Sequence, residues 1–87
     1  MRIAQQTGDP ITIANVETTR AQIDMGHARW ADARPRLERA AEGYGKAEGN
    51  TGMADAEALL AVAADALGDT KARDAAATRA KIGRAHV

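Results

Sequence analysis

The chain has no cysteine, phenylalanine or serine, and only one tryptophan, one tyrosine and two prolines. Without thiols there is neither a disulfide framework nor a thiolate metal site, which fits a reducing compartment. Without Ser or Cys no nucleophilic triad can be assembled, and the threonines fall on helices or their caps. The longest apolar run, Ala58 to Ala64, is far short of the ~20 residues that cross a bilayer. The opening MRIAQQTGDP lacks the apolar core of a signal peptide. Twelve basic and twelve acidic side chains cancel, so no net field draws the chain to nucleic acid or to an anionic membrane. These shortages point to a cytoplasmic protein whose partner is neither nucleic acid nor membrane.

What is present is alanine, about a quarter of the 87 residues, and it supplies most of the 45% hydrophobic content. A methyl group carries far less apolar area than a Leu or Ile side chain, each worth about 1.5–3 kcal/mol when fully buried, so an alanine core is thin. A chain this short also buries only about 60–65% of its surface. One small domain of marginal stability is expected, with weak self-association through exposed faces.

The apolar residues recur at helical spacing. Trp30, Ala33, Leu37, Ala40, Ala41, Tyr44 and Ala47 make one stripe of the segment Trp30 to Ala47, which holds both aromatics. Asp32 is a good N-cap and would put Pro35 at the third helical position, where its missing N–H costs nothing; the alternative is a helix from Ala28 kinked at Pro35. Gly43, Gly45 and Gly49 weaken the far end, and Gly49-Asn50-Thr51-Gly52 is expected to close it. Before this segment, Ile13, Val16 and Ile23 with Ala14, Ala21 and Met25 predict a helix from Ile11 to Met25, with Glu17, Arg20 and Asp24 marking its wet face. Gly8-Asp9-Pro10 reads as the end of a still earlier helix. After it, Met53 to Leu67 predicts a helix with two apolar faces, Met53, Ala56, Leu60, Ala63 and Leu67 on one and Leu59, Val62 and Ala66 on the other. Gly68 caps it, Asp69 or Thr70 starts the next, and that last helix is expected to run from about Lys71 to Lys81 with Ala72, Ala75, Ala76 and Ala80 on its small apolar side.

Glycine turns return at a period near forty, with Gly26 and Gly68 and also Ala33 and Ala75 being 42 residues apart. Helix, turn, helix, turn at such a period is the pattern of a helical-hairpin solenoid. The words Arg29-Trp30-Ala31-Asp32-Ala33 with Leu37 and Ala40, and Ala63, Leu67 and Gly68, resemble a tetratricopeptide-repeat protein of the alanine- and arginine-rich kind found in large bacterial signalling and regulatory proteins. The resemblance covers Ile3 to about Lys81. It departs from the family pattern in a turn two residues longer than usual and in Arg79, which at that spacing stands opposite Leu37. The resemblance implies an all-α fold of antiparallel hairpins, about four helices plus an N-terminal helix tail. A plain four-helix arrangement is the other possibility. It also implies protein–protein interaction or scaffolding, with first helices lining a concave groove for a protein or peptide partner. Here that groove would draw on Glu17, Arg20 and Asp24 from one helix and Leu59 and Val62 from another. Trp30 reads as core at the junction of the first hairpin and, alternatively, as an interaction hot spot. A spacer with no ligand of its own is the competing reading.

Ile82 to Val87, IGRAHV, resembles the one-frame translation of a short-read sequencing adapter. Residues 1–81 are therefore expected to be part of a longer native repeat region and 82–87 a non-native tail.

No catalytic, cofactor or metal constellation is evident. Gly43-Tyr44-Gly45-Lys46-Ala47-Glu48-Gly49 has GxGxxxG spacing and follows a helix, not the strand that a dinucleotide loop requires. His27 and His86 have no second ligand at metal spacing. Glu38 and Glu42 share a helix face but lack the cleft a catalytic acid needs. An enzyme is not expected.

Overall fold

The computed structural model describes residues 9–47 and 50–85, which form four helices and no strand. They are α1 (Pro10–Gly26), α2 (Trp30–Lys46), α3 (Asn50–Ala66) and α4 (Thr70–Ala85). The expected helix tail at Met1 to Thr7 lies outside the described residues.

Asp9 and Pro10 start a helix. The Asp9 carboxylate accepts from the N–H groups of Ile11 and Thr12 and from the Thr12 hydroxyl, and Pro10 takes the first position, where no N–H is missed. Those bonds, the Thr12 hydroxyl foremost, hold the Asp9 carboxyl below its usual range. Thr18, Thr19 and Thr78 fit within helices because each hydroxyl donates to the carbonyl four residues back.

Helix α2 begins earlier than the Asp32 cap implies. The carbonyl of Arg29 accepts from the N–H groups of Asp32 and Ala33, and half-buried Trp30 packs its ring on the core, which fixes the first turn. Pro35 therefore lies inside the helix, where its missing N–H leaves the Ala31 carbonyl without its usual donor. The far end is likewise firmer than its glycines suggest, since the helix runs through Gly43 and Gly45 to Lys46. A Cβ on Gly43 would sit 3.0 Å from the Pro10 carbonyl oxygen and 3.3 Å from the Ala14 methyl, so this glycine sets how closely α1 and α2 approach. Nor do Asn50 to Gly52 close α2: they form the first turn of α3, where the backbone at Gly52 lies against the Tyr44 ring. Asp69 caps α4 by accepting from the Ala72 N–H. That bond, then Arg34 at 2.9 Å, lowers the Asp69 pKa. Helix α4 continues past Lys81 to Ala85.

The helices are antiparallel in sequence order. Ala14 meets Ala40, Ala41, Tyr44 and Ala56 in one core cluster, while Ala21 meets Ala33, Leu37, Leu60, Ala63 and Ala76 in the other. Leu37 is the one large side chain wholly buried among the described residues. Each helix packs on its chain neighbours, and α1 and α4 make no comparable contact. A closed four-helix bundle would bring those two together. The array is instead open and slab-like, 37 × 32 × 16 Å, with a thickness that suits two helix layers about 9–10 Å apart.

The repeat step is 40 residues, not 42. Pro10 and Asn50 start α1 and α3, and Trp30 and Thr70 start α2 and α4. The turns agree with this step. Ala28 and Gly68 hold the positive φ angles, 59° and 80°, and the N–H groups of Arg29 and Asp69 close the turns on the Asp24 and Ala64 carbonyls at 2.7 and 2.9 Å. Gly26 was a misleading marker, because the left-handed position falls on an alanine in the first turn. At this register Arg79 corresponds to Arg39 and no longer conflicts with Leu37.

Candidate functional site

Two clefts flank α3. The first runs between α1 and α3. Thr18 and Gln22 form one wall, Asp55, Ala58 and Leu59 the other, and Tyr44 with Gly52 the floor, enclosing about 370 Å³. Tyr44 is buried and donates its hydroxyl to Asn15 Oδ1. The ring is held against the α3 backbone because Gly52 has no side chain: a Cβ there would lie 2.6 Å from Tyr44 Cδ1. The cleft offers an aromatic edge, apolar methyls and one carboxylate, a surface suited to an extended or helical peptide.

The residues expected to line a groove are distributed differently. Leu59 lies in the α1–α3 cleft, while Val62 is 52% exposed and outside it. Arg20 is exposed on the outer side of α1 with Ile13, Val16 and Ile23, nearly opposite Thr18 round the helix, and makes no ion pair among the described residues. Glu17 and Asp24 are not on a wet face. Asp24 is buried, its Oδ2 accepting from Arg36 Nε at 3.1 Å, and Glu17 Oε2 accepts from Arg39 Nε at 2.9 Å. Glu17 Oε1 takes weaker bonds, both at 3.4 Å, from Arg36 and Arg39. The Arg39 hydrogen bond, reinforced by the charges of Arg39 and Arg36, holds the Glu17 carboxyl below the usual glutamate range despite its burial. These acids lost their wet face because the arginines that claim them come from α2, and helix periodicity within α1 carries no information about α2. Trp30 is half-buried and packs against the core cluster around Leu37.

The second cleft, about 320 Å³, lies between α2 and α4 on the other side of α3 and is lined by Glu38, Ala41, Glu42, Glu57, Leu60 and Arg79. Arg79 Nε donates to Glu57 Oε2 at 2.9 Å, and this bond raises the Arg79 pKa. The pair repeats Glu17–Arg39 one 40-residue step later. Sequence reasoning missed both pairs, although Glu-x21-Arg at positions 17 and 57 was there to find once the period was set at 40. No group of three or more His, Asp or Glu among the described residues is disposed to hold a metal ion, and no described helix is long and apolar enough to cross a membrane.

No family model matches the chain, and no curated protein or solved structure shows significant similarity to it.

Proposed function

We propose that the chain is a tetratricopeptide-like helical-repeat module of a larger bacterial protein, working as a scaffold that holds a peptide segment of a protein partner in the α1–α3 cleft. The observation that carries this reading is the open, two-layer array with a cleft between its two first helices, floored by a clamped aromatic ring. A peptide lying there gains apolar contact with Leu59, Ala58 and the Tyr44 ring, and a donor on the peptide meets Asp55. Chemistry on the partner is not part of this reading.

Selection from a random-peptide display library against the whole chain tests it. Selected peptides are expected to lose at least about tenfold in affinity on Leu59→Glu, as removal of a central apolar contact does, and to be indifferent to Arg20→Glu on the outer face. Peptides that respond to Arg20→Glu and ignore Leu59→Glu would move the site elsewhere. A selection that yields no binder would favour the spacer reading.

A further inference from the structure

The 40-residue step aligns the two first helices position by position, and it matches an exposed face of α1 to a covered face of α3. On α3, Met53 and Ala56 pack with Ala40, Ala41 and Tyr44 of α2, and Leu60 and Ala63 share a core cluster with Ala33 and Leu37. Forty residues earlier stand Ile13, Val16, Arg20 and Ile23. Ile13, Val16 and Ile23 are 36%, 48% and 56% exposed, whereas Ala56, Leu60 and Ala63 are buried. One position breaks the apolar match, with Arg20 where α3 has Leu60. Glu17 and Asp24 on the same helix are engaged by arginines of α2, so Arg20 is left without an acid among the described residues. Beside it, Asn15, Val16, Thr19 and Arg20 bound a hollow of about 300 Å³.

We propose that this outer face of α1 docks an amphipathic helix of a partner protein, laid as α2 lies on α3, whose apolar stripe carries one aspartate or glutamate opposite Arg20. The internal repeat shows what covers such a face: on α3 it is a helix with a stripe of Ala33, Leu37, Ala40 and Ala41. Charge sets the rest. At the level where α3 presents Leu60, α1 presents a guanidinium, and a guanidinium covered by an apolar helix needs a carboxylate. A second copy of this chain does not offer one. The α4 residues matching Arg34, Leu37 and Ala41 are Asp74, Ala77 and Lys81, all exposed, and Asp74 is bound to Arg73. Two α1 faces joined antiparallel about their midpoints would set the two Arg20 side chains within about one helical turn of each other, like charge against like. The face is separate from the α1–α3 cleft and does not depend on a peptide binding there.

The test is an NMR titration of the whole 87-residue chain with synthetic peptides of the α2 sequence, residues 29–47. In each, Pro35→Ala removes the helix break, and the three peptides differ by Leu37→Glu, Leu37→Gln or Leu37→Lys. The Leu37→Glu peptide is expected to shift the amides of Ile13, Val16 and Ile23 saturably, the Leu37→Gln peptide to bind about tenfold more weakly and the Leu37→Lys peptide not at all. Arg20→Glu in the chain, a change at an exposed site, is expected to reverse that order, so that the Leu37→Lys peptide binds best. Ile23→Glu is expected to weaken binding about tenfold, and Leu59→Glu in the other cleft to leave it unchanged, with circular dichroism confirming that the variants keep the fold. No shift on α1 with any peptide, equal binding of the three, an order unchanged by Arg20→Glu, or shifts confined to α3 would overturn the proposal. So would a dimer in sedimentation that Ile23→Glu abolishes, which would make a second copy the occupant.

Discussion

The first hairpin, α1–α2, and the second, α3–α4, share a backbone plan and one ion pair but fill the space between their helices differently. In the first, Asp24 and Arg36 join Glu17 and Arg39 in a four-residue network. In the second, Ala64 and Ala76, both wholly buried, stand at the corresponding places, and Glu57–Arg79 is left alone. At these positions the first hairpin thus has polar bonds that need partners and the second has methyl packing that does not, although the second keeps ion pairs of its own in Glu57–Arg79 and Asp65–Arg73. The difference teaches that one repeat geometry tolerates either solution, and that the exchange left a shielded carboxylate oxygen, Glu57 Oε1, without its second cation.

The comparison presumes that both hairpins share a core, and Leu37 is the residue that makes them do so. Leu37→Ala is expected to cost about 2–5 kcal/mol, enough to abolish cooperative unfolding in a urea titration followed by circular dichroism. A mild loss with a single sharp transition would mean that the hairpins are not coupled through it. Next in size, Gly52→Ala drives a methyl into the Tyr44 ring and is expected to cost about 1–3 kcal/mol. Gly45→Ala, whose Cβ would lie at an ordinary 3.5 Å from Met53 Sδ, is expected to be neutral or stabilising. Thermal melts of the two variants side by side check this.

A finer contrast comes from the arginines. Arg79→Ala removes the sole partner of a shielded carboxylate, whereas Arg39→Ala leaves Glu17 its bond from Arg36, so the Arg79 variant is expected to lose more stability, by about 1 kcal/mol. Equal losses would erase the distinction between the hairpins. The smallest effect is on pH. The folded-state pKa of Glu17 lies below its unfolded value, so the stability it contributes is fully present above about pH 4.3 and drains away as pH falls through the lower, folded value. Glu17→Gln is expected to flatten the fall in melting temperature below that pH, and an unchanged slope would show that other carboxylates carry it.

The helices were legible because their apolar residues recur on one stripe: Ala33, Leu37, Ala40, Ala41 and Tyr44 are all buried as the period demands. Turn chemistry was legible at Gly68 and Asp69, where residue type and conformation agree. It failed at Ala28, an alanine in a left-handed conformation that residue type does not advertise, and that failure displaced the repeat step by two residues. Gly43 and Gly52 read as helix weakness because a sequence shows the conformational cost of glycine and hides the neighbour that needs the space. Of the α1–α3 cleft, only Leu59 was anticipated. Thr18, Gln22 and Tyr44 face it because of how α1 crosses α2, a tertiary fact with no local signature.

Packing each helix on its chain neighbours also has a kinetic consequence. Native partners are joined by turns of only a few residues, so little loop entropy is lost before contacts form, and folding belongs in the microsecond-to-millisecond range of about 0.1 relative contact order. Among the described helices, no major contact must wait for α1 to meet α4. Pulled from its termini, the array is expected to open hairpin by hairpin and to re-zip from whichever pair forms first, behaving as a short elastic element.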